Sequence, residues 1–525
     1  MKVRFTFLLL LATCFTCFCQ TITVSGVQSG VWDADEVVVT GDVLVRDSLT
    51  VTSGTMVLFD GHYSITIGKE AIFKALGTEE SPIVFTVADT TGFYLYDSSK
   101  GGWNGLQIDK AGSVLFDHCV LEYGKAADVD DSMGGAMNIV GCDDVVIRNC
   151  TLRRNLAREH GGAVNAIDSH VAMTGCHVNE NQLYDGGESY FMYGGGLRFH
   201  RCDVELSEME FRGNYGPTCI GGALSLDSCS VMLDRAVFAE NIGLNGGGLY
   251  IMRCNHLDCR LSNLLFDDNF SGHFGGGLAF LDASPLVYNM LVTNNTSEGV
   301  NCTGVFFYQY SSPILTNCII YGNYPVNPSF EMDTVQMWLW TFDDCAPQFR
   351  NCLIERGKSH ITGGDYIKVY EDIIEADPLF VDAEYHDFRL REESPCRDAG
   401  HVDVPEDLAE GFDLDGIRRV SNGRIDIGPY EYSSASVQTA PETVRAKLVG
   451  NPLNAKSHIV MDQELEGDVV VNVCSTAGSQ IAQKVVAPGN SSVIEVGDLV
   501  DRLAPGVYLI EVVGKNTRVV LKAVR

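Results

Sequence analysis

GGALSLDSC, residues 221–229, is one of six near-copies of a single phrase. The others are GGAMNIVGC (134–142), GGAVNAIDS (161–169), GGLRFHRC (195–202), GGLYIMRC (247–254) and GGLAFLDA (276–283). A fainter seventh is GVFFYQYS (304–311). Aligned on the glycine pair, the third positions Ala136, Ala163, Leu197, Ala223, Leu249 and Leu278 are 27, 34, 26, 26 and 29 residues apart. A second phrase lies between the copies, an apolar or Cys residue followed five positions later by Asn. It gives Cys150 to Asn155, Cys176 to Asn181, Met209 to Asn214, Ala236 to Asn241, Leu264 to Asn269, Met290 to Asn295 and Cys318 to Asn323. A two-part signal repeated at this period marks a repeat architecture.

Between the turn residues the chain alternates apolar with polar, as in AVNAI, LRFH, VELSEMEF and LYIM. That period of two predicts short strands. A unit of this length cannot bury its own apolar face. Stacked as parallel coils about 4.8 Å apart, each strand gains a partner above and below. The fold class expected is all-β, a right-handed parallel β-helix (a solenoid) followed by a small β-sandwich.

Each repeated residue has a structural reading. The column Asn155, Asn181, Asn214, Asn241, Asn269, Asn295 and Asn323 is expected at a tight turn, its amides hydrogen-bonded from coil to coil. The glycine pairs suit sharp bends or close backbone approach. No Lys-Ser or Lys-Thr follows them, so they do not form a nucleotide loop. Cys202, Cys229 and Cys254 are expected to point inward as free, buried thiols, because parallel side chains fit disulfide torsions poorly. Cys254 and Cys259 lack the paired spacing of a zinc site.

The 525 residues exceed one compact core, in keeping with an array. Asp and Glu number 69 against 37 Lys and Arg, a formal charge of −32. This argues against nucleic acid as a partner and against a polybasic contact with anionic lipid. Lys2 and Arg4 precede an apolar run, Phe5 to Ala12, and a small-residue zone with Cys14, Cys17 and Cys19. Residues 1–19 therefore read as a secretory signal peptide. A competing reading takes LATC (11–14) as an imperfect lipoprotein box with Cys14 acylated. No later apolar run is long enough for a transmembrane segment once the leader is removed. Eighteen cysteines less three in the leader leave fifteen, too sparse for a disulfide-stapled scaffold.

The stretch SGTMVLFDGHYSITIGKEAIFKALGTEESPIVFT (53–86) with GGWNGLQI (101–108) resembles the opening of secreted bacterial right-handed β-helix proteins. DPLFVDAEYHDFRLREESPCRDAG (377–400) and FDLDGIRRVSNGRIDIGPYEY (412–432) look like their closing segment. After a Ser/Thr/Ala/Pro linker (433–444), residues 445–525 carry the strand-like runs DVVVNVCS, SSVIEV, GVYLIEVV and TRVVLKAV. With Asn451-Pro452 and Leu503-Ala504-Pro505-Gly506-Val507-Tyr508, they resemble the C-terminal sorting domain of type IX secretion cargo in the Bacteroidetes group. The resemblance implies the type IX machinery as a partner, passage through the outer membrane, and a secreted or surface location. The expected domains are a leader (1–19), the β-helix with its caps (20–432), the linker, and the sorting module.

For chemistry, a glycoside hydrolase needs two or three carboxylates across a sugar bond. Asp143 with Asp144, Asp267 with Asp268, and Asp343 with Asp344 are the weak candidates, each also an ordinary solvated turn pair. Glu159-His160-Gly161-Gly162 and Tyr366-Ile367-Lys368 match a polygalacturonase-like pattern poorly. Arg148, Arg153 and Arg154 lie near Asp143 in sequence, but the repeat spreads them over different faces. Asp413, Asp415 and Asp426 could offer oxygens to calcium, the one cofactor entertained; a plain Asp-Gly turn is the alternative. No other cofactor is expected.

Binding has stronger candidates. The long third spacing marks an insertion, QLYDGGESYFMY (182–193), whose Tyr184, Tyr190, Phe191 and Tyr193 could wall a groove. In VQMWLWTF (335–342), Trp338 and Trp340 fall on one side of a strand; the competing reading has them capping the core. The sequence thus favours a non-catalytic module binding an extracellular glycan or protein ligand, with a polysaccharide lyase or glycosidase as the alternative.

Overall fold

The computed structural model describes residues 20–96, 98–127, 132–184, 192–298, 302–325, 336–340, 344–420 and 423–433. In the C-terminal part it describes 446–449, 457–461, 469–475, 480–486, 493–497, 499, 503, 507–513 and 518–524. The chain divides into two compact units, with the break at Tyr432/Ser433 and the short piece Val381–Asp387 assigned to the second.

The first unit is a parallel β-helix. Among the described residues, thirty-one strands join in one sheet that wraps three faces, every registered pair parallel. The first face runs from Ile65–Ile67 through Leu106–Asp109, Met137–Val140, Val164–Ile167 and Leu197–His200 to Ile361–Thr362. The second includes Val145–Arg148 and His170–Thr174, the third Thr151–Arg153 and His177–Asn179.

Single residues in the left-handed region turn the corners. Arg201, Ser228 and Arg253 do so between the first and second faces, and Asn149, Asn263, Asn289 and Asn317 between the second and third. The residue after each points inward, which explains the cysteines. The backbone N–H of Cys202 donates to Sγ of Cys229 at 3.5 Å, and that of Cys229 to Cys254 at 3.4 Å. Ser169 takes the same role, its Oγ accepting the N–H of Cys142 at 3.1 Å. The three thiols are buried and free, and those of Cys229 and Cys254 are used as hydrogen-bond acceptors, beyond the packing role the sequence suggests.

Coil register differs from the glycine-pair alignment by one residue at three copies. Met137, Val164, Leu197, Leu224, Leu249 and Leu278 stack on one another. Hence Gly196 and Gly248, each last of three glycines, occupy the place of Ala136, Ala163 and Ala223. A Cβ on Gly196 would lie 2.7 Å from the Ala223 carbonyl oxygen, and one on Gly248 2.9 Å from that of Gly277. Inside, Phe211, Phe238 and Phe266 stack with centroids 4.6 Å apart at each step.

On the third face one outward column changes character along the axis. Thr151, His177 and Glu210 give way to Val237, Leu265, Leu291, Ile319 and Leu353. Phe380, Phe388, Leu390, Cys396 and Ile427 pack with the apolar part. The corner asparagines help hold this closing segment, Asn289 Nδ2 donating to the carbonyls of Asp426 and Gly428 at 3.0 Å each.

The second unit pairs Ala446–Val449, His458–Met461 and Val493–Glu495 antiparallel. Val469–Ser475, Gln480–Val486, Val507–Val513 and Arg518–Val524 form a second antiparallel sheet. Ile459, Met461 and Ile494 from one share a core with Val471, Val473, Ile510 and Val512 from the other, the arrangement of a small sandwich.

Candidate functional site

Alternation on the first face sends every second side chain outward. One outward row reads Gln107, Asn138, Asn165, Arg198, Ser225, Tyr250, Ala279, Phe306, Trp338. Beside it runs Asp109, Val140, Ile167, His200, Asp227, Met252, Leu281, Tyr308. Trp340 continues that row, its N–H bonded to the Phe307 carbonyl at 2.9 Å. A second sheet of short strands, from Met192–Tyr193 through Phe270–Phe274 to Tyr324–Pro325, also contributes to this face with Tyr193, Ile220 and Phe274.

Both rows pass from polar to aromatic. Asn165 Nδ2 donates to Asn138 Oδ1 at 2.8 Å, and Asn165 Oδ1 accepts from Arg198 Nη1 at 2.9 Å. Beyond Ser225 an aromatic cluster takes over. Phe274 lies 4.9 Å from Phe306 and edge-on to Trp338 at 5.0 Å; Trp338 and Trp340 are 5.1 Å apart, and Tyr308 meets Trp340 edge-on at 5.6 Å. Tyr193, Phe274, Tyr308, Trp338 and Trp340 remain half-buried, so the cluster keeps an accessible surface.

At the junction sit charged groups. His200 Nδ1 pairs with Asp227 Oδ2 at 2.8 Å, and Arg201 Nη1 contacts His200 Nε2, which makes Nδ1 the protonated nitrogen. Arg253 Nε donates to Asp227 Oδ1 at 2.9 Å. Burial opposes ionisation of Asp227, but Arg253, Ser228 and His200 outweigh it and hold the carboxyl below its ordinary value. Burial lowers His200 despite Asp227. His160 is pushed down to about 4, first by burial and then by Arg198, so its imidazole is neutral near pH 7.

Of the aromatic candidates from sequence, Tyr193, Trp338 and Trp340 belong to this face. The tryptophans point outward, while Met337 before them and Leu339 between them are buried in the core. Tyr184 is elsewhere, stacked on Tyr96 at 4.0 Å and 5°. Tyr190, Phe191 and Asp343 lie outside the described residues. The remaining acidic candidates do not converge. Asp143 and Asp144 are exposed in a turn after the first face; Asp344 is exposed before Gln348–Arg350 on the second. Asp267, at the end of a third-face strand, accepts from Asn294 Nδ2 at 2.9 Å, and Asp268 is an exposed corner residue. Arg148, Arg153 and Arg154 make coil-to-coil ion pairs with Asp117, Glu122 and Glu180.

The calcium candidates are engaged with backbone. Asp413 Oδ1 accepts from the N–H of Asp415 and Ile417 at 2.9 and 2.7 Å, and Asp426 accepts from Asp398 and Tyr432 at 2.6 Å each. Asp415 is exposed. Among the described residues no group of three or more His, Cys, Asp or Glu side chains is arranged to hold a metal.

The seven asparagines form one buried ladder. Each Oδ1 from Asn181 to Asn323 accepts both the backbone N–H and the Nδ2 of the asparagine one coil earlier. Gln336 supplies one more step, Oε1 accepting from Asn323 Nδ2 at 2.7 Å.

No family model matches the chain, and no curated protein matches it. Among solved structures it is similar to the crystal structure of the periplasmic alginate epimerase AlgG. The identity is 10% and the TM-score 0.33, over 66% of this chain and 79% of that one.

Proposed function

We propose that this β-helix is exported and binds an extended glycan along its first face. One observation carries the reading: the outward rows end in a half-exposed aromatic strip, Tyr308, Trp338 and Trp340 backed by Phe274 and Phe306. Flat aromatic faces suit the C–H surface of sugar rings, and a pyranose is about as long as one coil is high, so successive sugars can meet successive coils. A folded protein ligand is the other possible occupant, and it would not need a strip repeating at the coil spacing. A glycan array with the full chain tests this. Binding to polysaccharide fragments that Trp340→Ala weakens supports it; retention of proteins alone counts against it.

The export route rests on the leader-like residues 1–19 and on the sorting-domain resemblance of residues 445–525. The reading makes this a type IX secretion cargo of a Bacteroidetes-group cell, with the second unit as the address. Removing residues 445–525 should leave the β-helix in the periplasm; undiminished delivery to the surface or medium argues for another route.

A second reading, a polysaccharide lyase or glycosidase, draws on the His200–Asp227 pair beside Arg198 and Arg253. A neutral imidazole oriented by a carboxylate is a general-base arrangement. Unsaturated-product and reducing-end assays on polyuronates and neutral glycans decide: turnover lost in His200→Ala favours this reading, and absence of turnover across the panel favours binding alone.

A further inference from the structure

Three cationic side chains in the β-helix unit are buried among the described residues: Lys125, Arg198 and Arg419. Two have evident partners. Lys125 Nζ donates to the carbonyls of Gly92, Leu95 and Lys100 at 3.2, 3.0 and 2.9 Å. Arg419 lies 3.3 Å from Glu431 and donates to the Gly428 carbonyl at 2.9 Å. Arg198 has the fewest partners of the three. It is 9% exposed, its one hydrogen bond goes to the neutral Asn165, and no described carboxylate reaches it at ion-pair distance. Asp227 acts on it only through space, and that carboxylate is already shared by Arg253 and His200.

Two more polar side chains lie on the coils to either side of it. Ser225, 1% exposed and directly opposite Arg198 on the next coil, has no hydrogen-bond partner for Oγ. Nδ1 of His160 is likewise shielded from solvent, and its imidazole interacts with the Glu159 backbone. Its ring lies 5.6 Å from that of Tyr193, over which the Arg198 guanidinium sits at 5.7 Å. A guanidinium, a hydroxyl and an imidazole N–H can all donate. A buried charge without a counter-charge is unfavourable, and planar oxyanions match the guanidinium fork.

We propose that Arg198, Ser225 and His160 form an oxyanion site that receives a carboxylate or sulfate of the glycan lying on the aromatic strip. This rests on the glycan reading of the first face. Arg198 stands in the same outward row as Tyr250, Phe306 and Trp338, so a chain following that row brings its substituents past the guanidinium. The ligand class is an acidic glycan, anchored by charge at the polar end and by ring stacking at the other.

Calorimetry on the full chain tests it with three probes: inorganic sulfate, a uronic acid oligomer, and the same oligomer with its carboxyls reduced to alcohols. The wild type should bind the acidic oligomer about tenfold or more tightly than the neutral one. Arg198→Gln should remove that preference, and Arg198→Lys should restore part of it. The unliganded Arg198→Gln protein should also melt no lower than wild type, since an uncompensated buried charge has been removed; a purely structural arginine would show the reverse. Equal binding of both oligomers overturns the glycan-borne anion, even where sulfate binding depends on Arg198. Sulfate uptake lost in Arg198→Gln, with neither oligomer bound, sinks the glycan reading and leaves a site for a free anion. A preference unaffected by Arg198→Gln, together with a lowered melting temperature, overturns the site itself.

Discussion

The side-chain amide of Asn241 donates to Oδ1 of Asn269 at 2.9 Å and to the Phe211 carbonyl at 2.9 Å, while its own Oδ1 accepts two bonds from Asn214. One buried side chain therefore satisfies polar groups on coils to either side. Apolar replacement leaves the Asn214 backbone N–H without its acceptor and removes one bond each from the Asn214 amide, which keeps the Val178 carbonyl, and from the Phe211 carbonyl.

Asn241→Leu should cost about 2–5 kcal/mol, the range for opening a buried hydrogen-bond network. Asn155, first of the seven, should cost less when replaced, because fewer ladder neighbours depend on it. Thermal melts of the two variants check the order; equal, small losses would show that the ladder adds little.

Lys125 is held among carbonyls, and burial depresses it to about 8. The unfolded chain, with an ordinary lysine, binds more protons between that value and about 10.4, so this group's contribution to stability rises with pH across the window. Lys125→Met should flatten that rise relative to wild type. Because Nζ ties down Gly92, Leu95 and Lys100, hydrogen exchange over residues 89–102 should also quicken in the variant. Unchanged exchange would show that the lysine does not hold this loop.

Glu431, buried beside Arg419, Asp426 and Asp413, is raised to about 8, with burial as the main cause and Arg419 opposing it. Here the folded chain binds the extra proton. Its stabilising contribution is complete below about 4.3 and is lost as pH climbs through 8. Burial raises Asp413 and Asp426 too, which adds in the same direction. Glu431→Gln should therefore match wild type near pH 4 and exceed it near pH 9, read by melting temperature or by proteolysis of residues 380–432. Equal pH profiles would contradict this.

The architecture is legible because two signals recur at one period: a glycine pair before an alternating strand, and an asparagine five places after an inward residue. The glycine pair misplaces register by one where three glycines run together, since Gly196 and Gly248 stand in for alanine where a Cβ would strike the next coil. Gln336 escapes the asparagine pattern because its longer side chain enters the ladder from outside the period. Tyr250, Phe306 and Tyr308 go unnoticed in sequence because each sits inside an ordinary copy of the phrase. Only the stacking register shows that they share two outward rows with Trp338 and Trp340. The apolar column from Val237 to Leu353 is hidden in the same way, and it marks where the closing segment lies. Arg198 and Ser225 carry no motif, and His160 only the poor match Glu159-His160-Gly161-Gly162; their meaning comes from burial and coil register.

Tryptophan emission during a glycan titration is the most direct test of the central claim. Of the four tryptophans, Trp32 and Trp103 are buried in the core, whereas Trp338 and Trp340 are half-buried on the first face. Binding to a polysaccharide fragment should shift the emission saturably, and Trp338→Ala/Trp340→Ala should abolish the shift and weaken calorimetric affinity about tenfold or more. Undiminished affinity in the double variant, or no binding by the folded wild-type chain to any acidic or neutral glycan, would contradict it.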